Sequence, residues 1–236
     1  MQEQISNAFL PPSSAAPIKR ERRKEARPGE LLAAALDLFV EKGFAATRVE
    51  EVAARAGVSK GTLFLYFPSK EELFKAVVRE NISGRFAEWN SDFDAFQGNT
   101  FDMLAYCLNS WWERMGATKA AGITKLVLSE ASNFPAIAAF YQQEVIAPGH
   151  TLIRRILQRG MDRGEFRPLD LDYAVFSVMA PMVFMTLSGH SQGVFLPDQW
   201  AIEPTRYIDS QLKIILYGLA PKPMDAAVQH SKPDAA

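Results

Sequence analysis

Cysteine is almost absent: Cys107 is the only one in 236 residues, so no intramolecular disulfide can form and a reducing compartment fits. Its expected role is that of a small hydrophobe on a helix rather than a reactive thiol. Histidine is scarce as well, with three. His150, His190 and His230 lie far apart and outside any ligand spacing, which gives no reason to expect a metal site or a metal cofactor. No apolar run reaches the roughly 18 residues of a membrane span, and the N-terminal residues carry no apolar signal core. A cytoplasmic protein without a membrane partner is expected. The net charge is only −1, which excludes a uniformly basic surface. What is abundant is apolar side chain, 48% against 22% charged, enough for one large or two modest soluble domains with a sizeable core.

The charge is segregated. Residues 18–70 hold eleven Lys and Arg against seven Asp and Glu, so that segment is net basic and the remainder net acidic. An acidic body with a basic head suits a protein that touches nucleic acid with one end. Residues 1–17 are rich in Ser, Ala, Pro and Gln without period and read as a disordered tail, as do residues 221–236. The basic run 19–27 enters the first helix and has two readings, a solvated charged face and an arm on phosphate or in the adjacent minor groove.

Between Thr47 and Glu72 two short helices are punctuated at helix-turn-helix spacing. Thr47-Arg48-Val49-Glu50 has the form of a capping box, with Val49, Val52, Ala53 and Ala56 on one face of the helix that follows. Gly57 can end that helix in the left-handed conformation, and Ser59 can cap the next. Leu63 and Phe67 supply the buried edge of this second helix, leaving Lys60, Thr62, Phe64 and Tyr66 to point elsewhere. Pro68 closes it, and Ser69-Lys70-Glu71-Glu72 is a second capping box. A supporting helix is expected from Pro28, at a first helical position, to Gly43, with Leu32, Ala35, Leu36 and Phe39 as its apolar stripe.

Leu36-Asp37-Leu38-Phe39, Gly43-Phe44, Thr47, Val52-Ala53, the run Ala56-Gly57-Val58-Ser59-Lys60-Gly61-Thr62-Leu63 and its continuation from Phe64 to Leu73 resemble the tetracycline-repressor (TetR) family of transcriptional regulators. The resemblance is close over residues 30–78. It extends more loosely to Phe134-Pro135, Glu144-Val145 and Arg163-Gly164-Glu165-Phe166-Arg167. It implies that Lys60, Gly61, Thr62, Phe64 and Tyr66 face the major groove or its flanking phosphates, and that Thr47, Arg48 and Lys70 approach the DNA. The family usually has tyrosine where this chain has Phe64. The chemistry of the side chains suits those roles, since Lys60 and Arg48 can bond phosphate or guanine, Thr62 offers a hydroxyl and a methyl, and Gly61 permits close approach.

Beyond Leu73 the patterns are helical, so the expected fold is all-α: a three-helix head (18–72) and a helical sensing and dimerisation body (73–220). Helices are expected at 72–89, 100–115, 119–132, 135–163 with a kink or break at Pro148, 171–188 and 205–219. The resemblance implies pairing of the last two long helices as a four-helix bundle. Two stripes agree with it, Tyr173, Phe176, Ala180, Val183 and Leu187 on one helix and Ile208, Leu212 and Ile215 on the other. A homodimer would present two reading helices to a palindromic double-stranded operator. Trp111, Trp112, Met115, Phe134, Tyr141, Met179 and Met182 are candidates to line a site for a hydrophobic or aromatic small-molecule effector, released repression being the mechanism implied. Two alternatives compete. Gly189-His190-Ser191-Gln192-Gly193 matches the G-x-S-x-G elbow of serine hydrolases, but the helical spacing before it argues against that enzyme. A DNA-binding regulator without an effector is the other.

Overall fold

A computed structural model describes residues 18–189 and 202–221, with side chains from Pro28 onward. The expected tails at 1–17 and beyond Pro221, the basic side chains of 19–27, and Ser191 with most of its motif therefore lie outside the described residues. All regular structure among the described residues is helical, as the periodicity requires.

The first helix, α1 (Ile18–Ala46), starts well before Pro28, so the expected proline start needs correction. The Arg, Lys, Glu and Ala residues upstream are strong helix formers, and Pro28 removes one backbone donor without ending the helix. The break falls instead at Gly43, whose φ of 81° and ψ of 171° no side-chain-bearing residue adopts comfortably. Then come α2 (Val49–Arg55), α3 (Lys60–Tyr66) and α4 (Lys70–Asn81). Between α2 and α3 the chain reverses through Gly57 at φ 66°. Its N–H donates to the Ala54 carbonyl at 3.1 Å and that of Val58 to the Ala53 carbonyl at 2.9 Å, the double bond of a Schellman ending. Ser59 Oγ then accepts the Thr62 N–H at 3.1 Å to start α3, and Ser69 Oγ accepts the Glu72 N–H at 3.1 Å to start α4.

The expected helix over 72–89 is two elements. The chain turns at Ile82 (φ −130°, ψ −71°), passes through a 3₁₀ turn at Ser83–Arg85 and resumes as α5 (Phe86–Ala95). After the Gln97-Gly98-Asn99 break, α6 (Thr100–Trp111) runs into a π turn at Trp112–Gly116, followed by α7 (Ala121–Glu130) and α8 (Pro135–Tyr141). A second π turn, Gln142–Ile146, leads into α9 (Ala147–Asp162). Pro148 thus sits in the first turn of α9, directly after the wide turn, which accommodates its ring and its missing donor. The helices α10 (Leu171–Gly189) and α11 (Pro204–Leu219) complete the body.

Two apolar cores form among the described residues, and the first extends past the expected 72/73 boundary. One joins α1–α4 to α7 and α8; Phe39, Phe44 and Phe74 are fully buried in it, with ring centroids 5.3–5.7 Å apart. Such aromatic pairs add about 0.5–1.5 kcal/mol each beyond simple burial. The other joins α5, α6, α9, α10 and α11. The segment 163–167 ties this second core together. Glu165 accepts the Thr100 N–H at the start of α6 at 2.6 Å, Phe166 packs edge-on against Phe101, and Arg167 Nε donates to the Gly218 carbonyl at the end of α11 at 2.6 Å.

The expectation that no segment is long and apolar enough to cross a membrane also needs correction. The 19-residue α10 is, by length and composition, with a mean hydropathy of 1.5. Asp172, Ser177 and Pro181 interrupt the run, so a search for unbroken apolar sequence passes over it. Leu171, Val175, Val178, Met182 and Met185 are buried against the body, while Tyr173 and Phe176, 74% and 55% exposed, make an apolar outer face. A helix apolar all round is one that expects cover on both sides.

Candidate nucleic-acid interface and effector cavity

The helix α3 is held chiefly by Leu63, with Tyr66 and Phe67 packed against the same core. Leu63 is fully buried between α2 and the first core, a burial that contributes roughly 1.5–3 kcal/mol, and Phe67 closes the helix with extended backbone before Pro68. Lys60, Gly61 and Phe64 are left exposed, Thr62 and Tyr66 half-buried at the rim, and Leu65 is 83% exposed. These are the side chains the sequence assigns to the groove, and the fold brings Lys60, Gly61, Thr62, Phe64 and Tyr66 onto one short helix. Lys60 Nζ lies 2.6 Å from the Glu50 carboxylate of α2 and 5.7 Å from the Phe64 ring centroid. The Lys60 hydrogen bond holds the Glu50 carboxyl below its ordinary range. The pair is solvent-exposed and therefore weak, so a phosphate can displace the carboxylate.

Beside it two further cations of the head are engaged on carboxylates. Arg55 forms a fork on Glu41, both bonds 2.9 Å, and Lys42 reaches Glu51 at 2.9 Å. Arg48 is exposed and makes no ion pair among the described residues, which leaves its guanidinium available for an anion.

Two expected contact residues are spent inside the protein. Thr47 is 1% exposed, and its hydroxyl lies 2.7 Å from the Gly43 carbonyl and 3.1 Å from that of Leu38. It fastens the turn after α1 and does not cap α2; the Glu51 carboxylate accepts the Arg48 N–H at 3.4 Å instead, and Glu50 turns to Lys60. Lys70 donates to the carbonyls of Phe44 (2.8 Å), Thr47 (3.1 Å) and Ala45 (3.2 Å), with its ammonium 4.5 Å from the Phe44 ring centroid. All three ammonium hydrogens are consumed.

The same turn is gripped from the body. Glu130, the last residue of α7, accepts the N–H groups of Phe44 and Ala45 at 2.7 and 2.9 Å, and Phe134 stacks edge-on to Phe44 at 4.9 Å. A Cβ at Gly43 would come within 2.4 Å of the Glu130 carboxylate, so this approach needs glycine there. Nothing in the sequence pattern singles out Glu130; its partners are 85 and 86 residues away.

Behind α7 lies a cavity of ≈ 100 Å³ walled by α5, α6, α7, α8, α9 and α10 together with both π turns. Trp111, Met115, Tyr141, Met179 and Met182 line it as expected from sequence, and Val183, assigned above to the dimer face, lines it too. Two expected lining residues do not. Trp112 folds over Gly116 in the first π turn, and Phe134 packs into the head core. Phe86, Trp89, Cys107 and Thr124 complete the wall without having been singled out as lining. Apolar atoms around Cys107 push its thiol up to about 12, as expected of an inert cysteine. Among the polar groups of the wall is a pair of hydroxyls, Thr124 Oγ1 and Tyr141 Oη, 2.9 Å apart; burial also raises the Tyr141 phenol above its ordinary value.

On the outer face, Tyr173, Phe176 and Ala180 are exposed, whereas Val183 and Leu187 are half-buried. The expected α11 stripe is a misassignment: Ile208 and Leu212 are buried in the chain's own core and Ile215 is half-buried. The exposed apolar side chains of α11 are Ile214 and Tyr217, at 63% and 78%. An i, i+4 stripe says which residues share a face but not which way the face points.

An all-α chain with a helix-turn-helix head gripped by a cavity-bearing body is the architecture of a bacterial regulatory protein. The model of bacterial regulatory proteins of the tetR family matches residues 31–77, and that of the tetracyclin repressor-like C-terminal domain matches residues 98–201. Together they match more than half of the chain, which belongs to the tetR family. The HTH-type transcriptional regulator RutR of Escherichia coli (strain K12) is 52% identical over 62 residues, covering 26% of this chain and 29% of RutR. An uncharacterized HTH-type transcriptional regulator of Mycobacterium tuberculosis, Rv1556, is 34% identical over 139 residues, 59% of this chain and 65% of that one. The match thus spans less than two thirds of either relative. Among solved structures, the regulator FadR from Bacillus subtilis in complex with stearoyl-CoA shares the fold at a TM-score of 0.62, with 20% identity over 81% of this chain and 98% of that one.

Proposed function

We propose that this chain is a ligand-responsive transcriptional regulator that binds a palindromic double-stranded operator as a homodimer and is released from it by a small hydrophobic effector. The observation that carries this reading is the short helix α3, anchored by Leu63 with Tyr66 and Phe67 packed beside it, which leaves Lys60, Gly61 and Phe64 exposed and Thr62 at the rim, next to Arg48, which makes no ion pair among the described residues. A major groove admits such a helix, and basic side chains at its start suit phosphate and guanine. The apolar outer faces of α10 and α11, with Tyr173, Phe176, Ile214 and Tyr217, support pairing with a second copy. The apolar cavity and the stearoyl-CoA held by the FadR neighbour support a hydrophobic effector. The body couples the two, because α7 carries Thr124 on the cavity and Glu130 on the head turn. An effector that favours one position of α7 shifts the population of head orientations and so the operator affinity. The cytoplasm is the compartment this role requires.

The test is titration of a selected operator duplex with wild-type and Lys60→Ala protein, followed by stoichiometry. Two chains per duplex and a loss of about 1–3 kcal/mol in the variant are expected; unchanged affinity moves the reading element elsewhere. The small cavity keeps one second reading in play, a regulator that takes no effector. A screen of hydrophobic compounds that shifts neither melting temperature nor operator affinity favours it.

A further inference from the structure

The cavity wall contains no charged side chain among its seventeen residues. One wall residue, Trp89, carries a buried hydrogen-bond donor with nothing to donate to. Trp89 is only 7% exposed, and its indole N–H has no acceptor among the described residues. Ser110, 5% exposed, is in the same condition. Both border a second, smaller void of ≈ 20 Å³ that shares Trp89, Cys107 and Leu152 with the main cavity as a common wall. At the main cavity, the Thr124–Tyr141 pair brings two hydroxyl hydrogens to a single mutual bond, so one remains for another acceptor.

Spare donors and no cation define a ligand chemistry. Resting on the effector reading above, we propose that the cavity takes an uncharged, largely apolar molecule bearing a carbonyl oxygen, a ketone, ester or lactone, which accepts from the Trp89 indole N–H or from the Thr124–Tyr141 hydroxyl pair. A carboxylate or phosphate entering the same space leaves its water behind and meets no counter-charge, which disfavours it strongly. A pure hydrocarbon fits the wall but leaves the donors unsatisfied, so it forgoes the interaction that distinguishes the ketone. Specificity then resides in Trp89 and Tyr141, while the methionines Met115, Met179 and Met182 adapt to the shape of the apolar part.

The experiment is calorimetric titration of the full chain with three probes of one shape: 2-acetylnaphthalene, 2-ethylnaphthalene and 2-naphthoate. The ketone is expected to bind at least about tenfold more tightly than the hydrocarbon, and the hydrocarbon more tightly than the carboxylate. In Trp89→Phe or Tyr141→Phe the ratio of ketone to hydrocarbon affinity should shrink severalfold. Two variants are used because either ring could be needed for folding, and the wild-type ranking needs neither. Equal binding of ketone and hydrocarbon, or preference for the carboxylate, overturns the donor assignment while leaving an effector cavity in place. Binding of none of the three overturns the cavity reading and this proposal with it.

Discussion

Lys70 separates a clamp from a DNA contact, and its removal has a calculable cost. Lys70→Ala leaves the carbonyls of Phe44, Thr47 and Ala45 without the ammonium that holds them at 2.8, 3.1 and 3.2 Å. The Ala45 bond is exposed and water can replace it; the other two are partly buried. Losing a charged donor to a partly shielded acceptor costs about 1–2 kcal/mol, so the two together come to roughly 2–4 kcal/mol. For a chain of this size each kcal/mol moves the melting temperature by about 2–4 °C. Thermal unfolding followed by circular dichroism should therefore fall by about 4 °C or more in Lys70→Ala. The same turn carries Thr47 and the Glu130 grip, so operator affinity should fall as well, but the slope of log affinity against log salt should not change, because no phosphate contact is lost. Lys60→Ala should do the reverse, keeping its melting temperature and lowering the salt slope by about one. A Lys70→Ala protein with unchanged stability and a slope reduced by one would refute the clamp and restore Lys70 to the DNA surface.

Glu130→Ala should lower stability by about 1–3 kcal/mol and speed hydrogen exchange at the Phe44 and Ala45 amides; unchanged protection there would remove the grip from the account. Gly57→Ala meets no neighbouring atom and so isolates the backbone term at φ 66°, expected to cost about 1–2 kcal/mol by denaturant unfolding. Phe176→Asp puts a charge on the outer face of α10 and should yield a folded monomer in sedimentation; a persistent dimer would move the interface elsewhere. Arg79, bonded to Glu144 at 2.5 and 3.1 Å, holds that carboxyl below its ordinary 4.5. A depressed folded-state value means the unfolded chain binds protons first, so this contribution is complete above pH 4.5 and disappears as pH falls through the folded value. Unfolding in urea across this range should show a shallower acid loss in Glu144→Gln than in wild type.

The helix-turn-helix was legible because its signals are local: Gly57, Ser59, Leu63, Pro68 and Ser69 each act within four residues, and each does in the fold what its chemistry allows. The resemblance of residues 30–78 pointed the same way, and the family it named is the family found. What sequence reading lost are the long-range assignments. Thr47 and Lys70 carry polar groups suited to DNA, yet their hydrogens go to carbonyls across the head, 23 to 26 residues away for Lys70. Phe134 is as aromatic as Trp111, but α8 turns it toward Phe44 and away from the cavity. Ile208 and Leu212 keep helical spacing with Ile215, and that spacing does not reveal that they face inward, leaving Ile214 and Tyr217 outside. Helix ends moved where an unforeseen π turn absorbed a proline, as at Pro148, or where good helix formers carried α1 through Pro28.

The most direct test of the central claim is selection of bound duplexes from a random pool by the full chain, with titration of the recovered sequence at several salt concentrations. A palindrome bound with a steep salt slope, lost in Lys60→Ala and Arg48→Ala, is the result expected of two α3 helices in successive major grooves. Recovery of no preferred sequence, or of one bound equally well by both variants, would contradict the assignment of α3 as the reading helix.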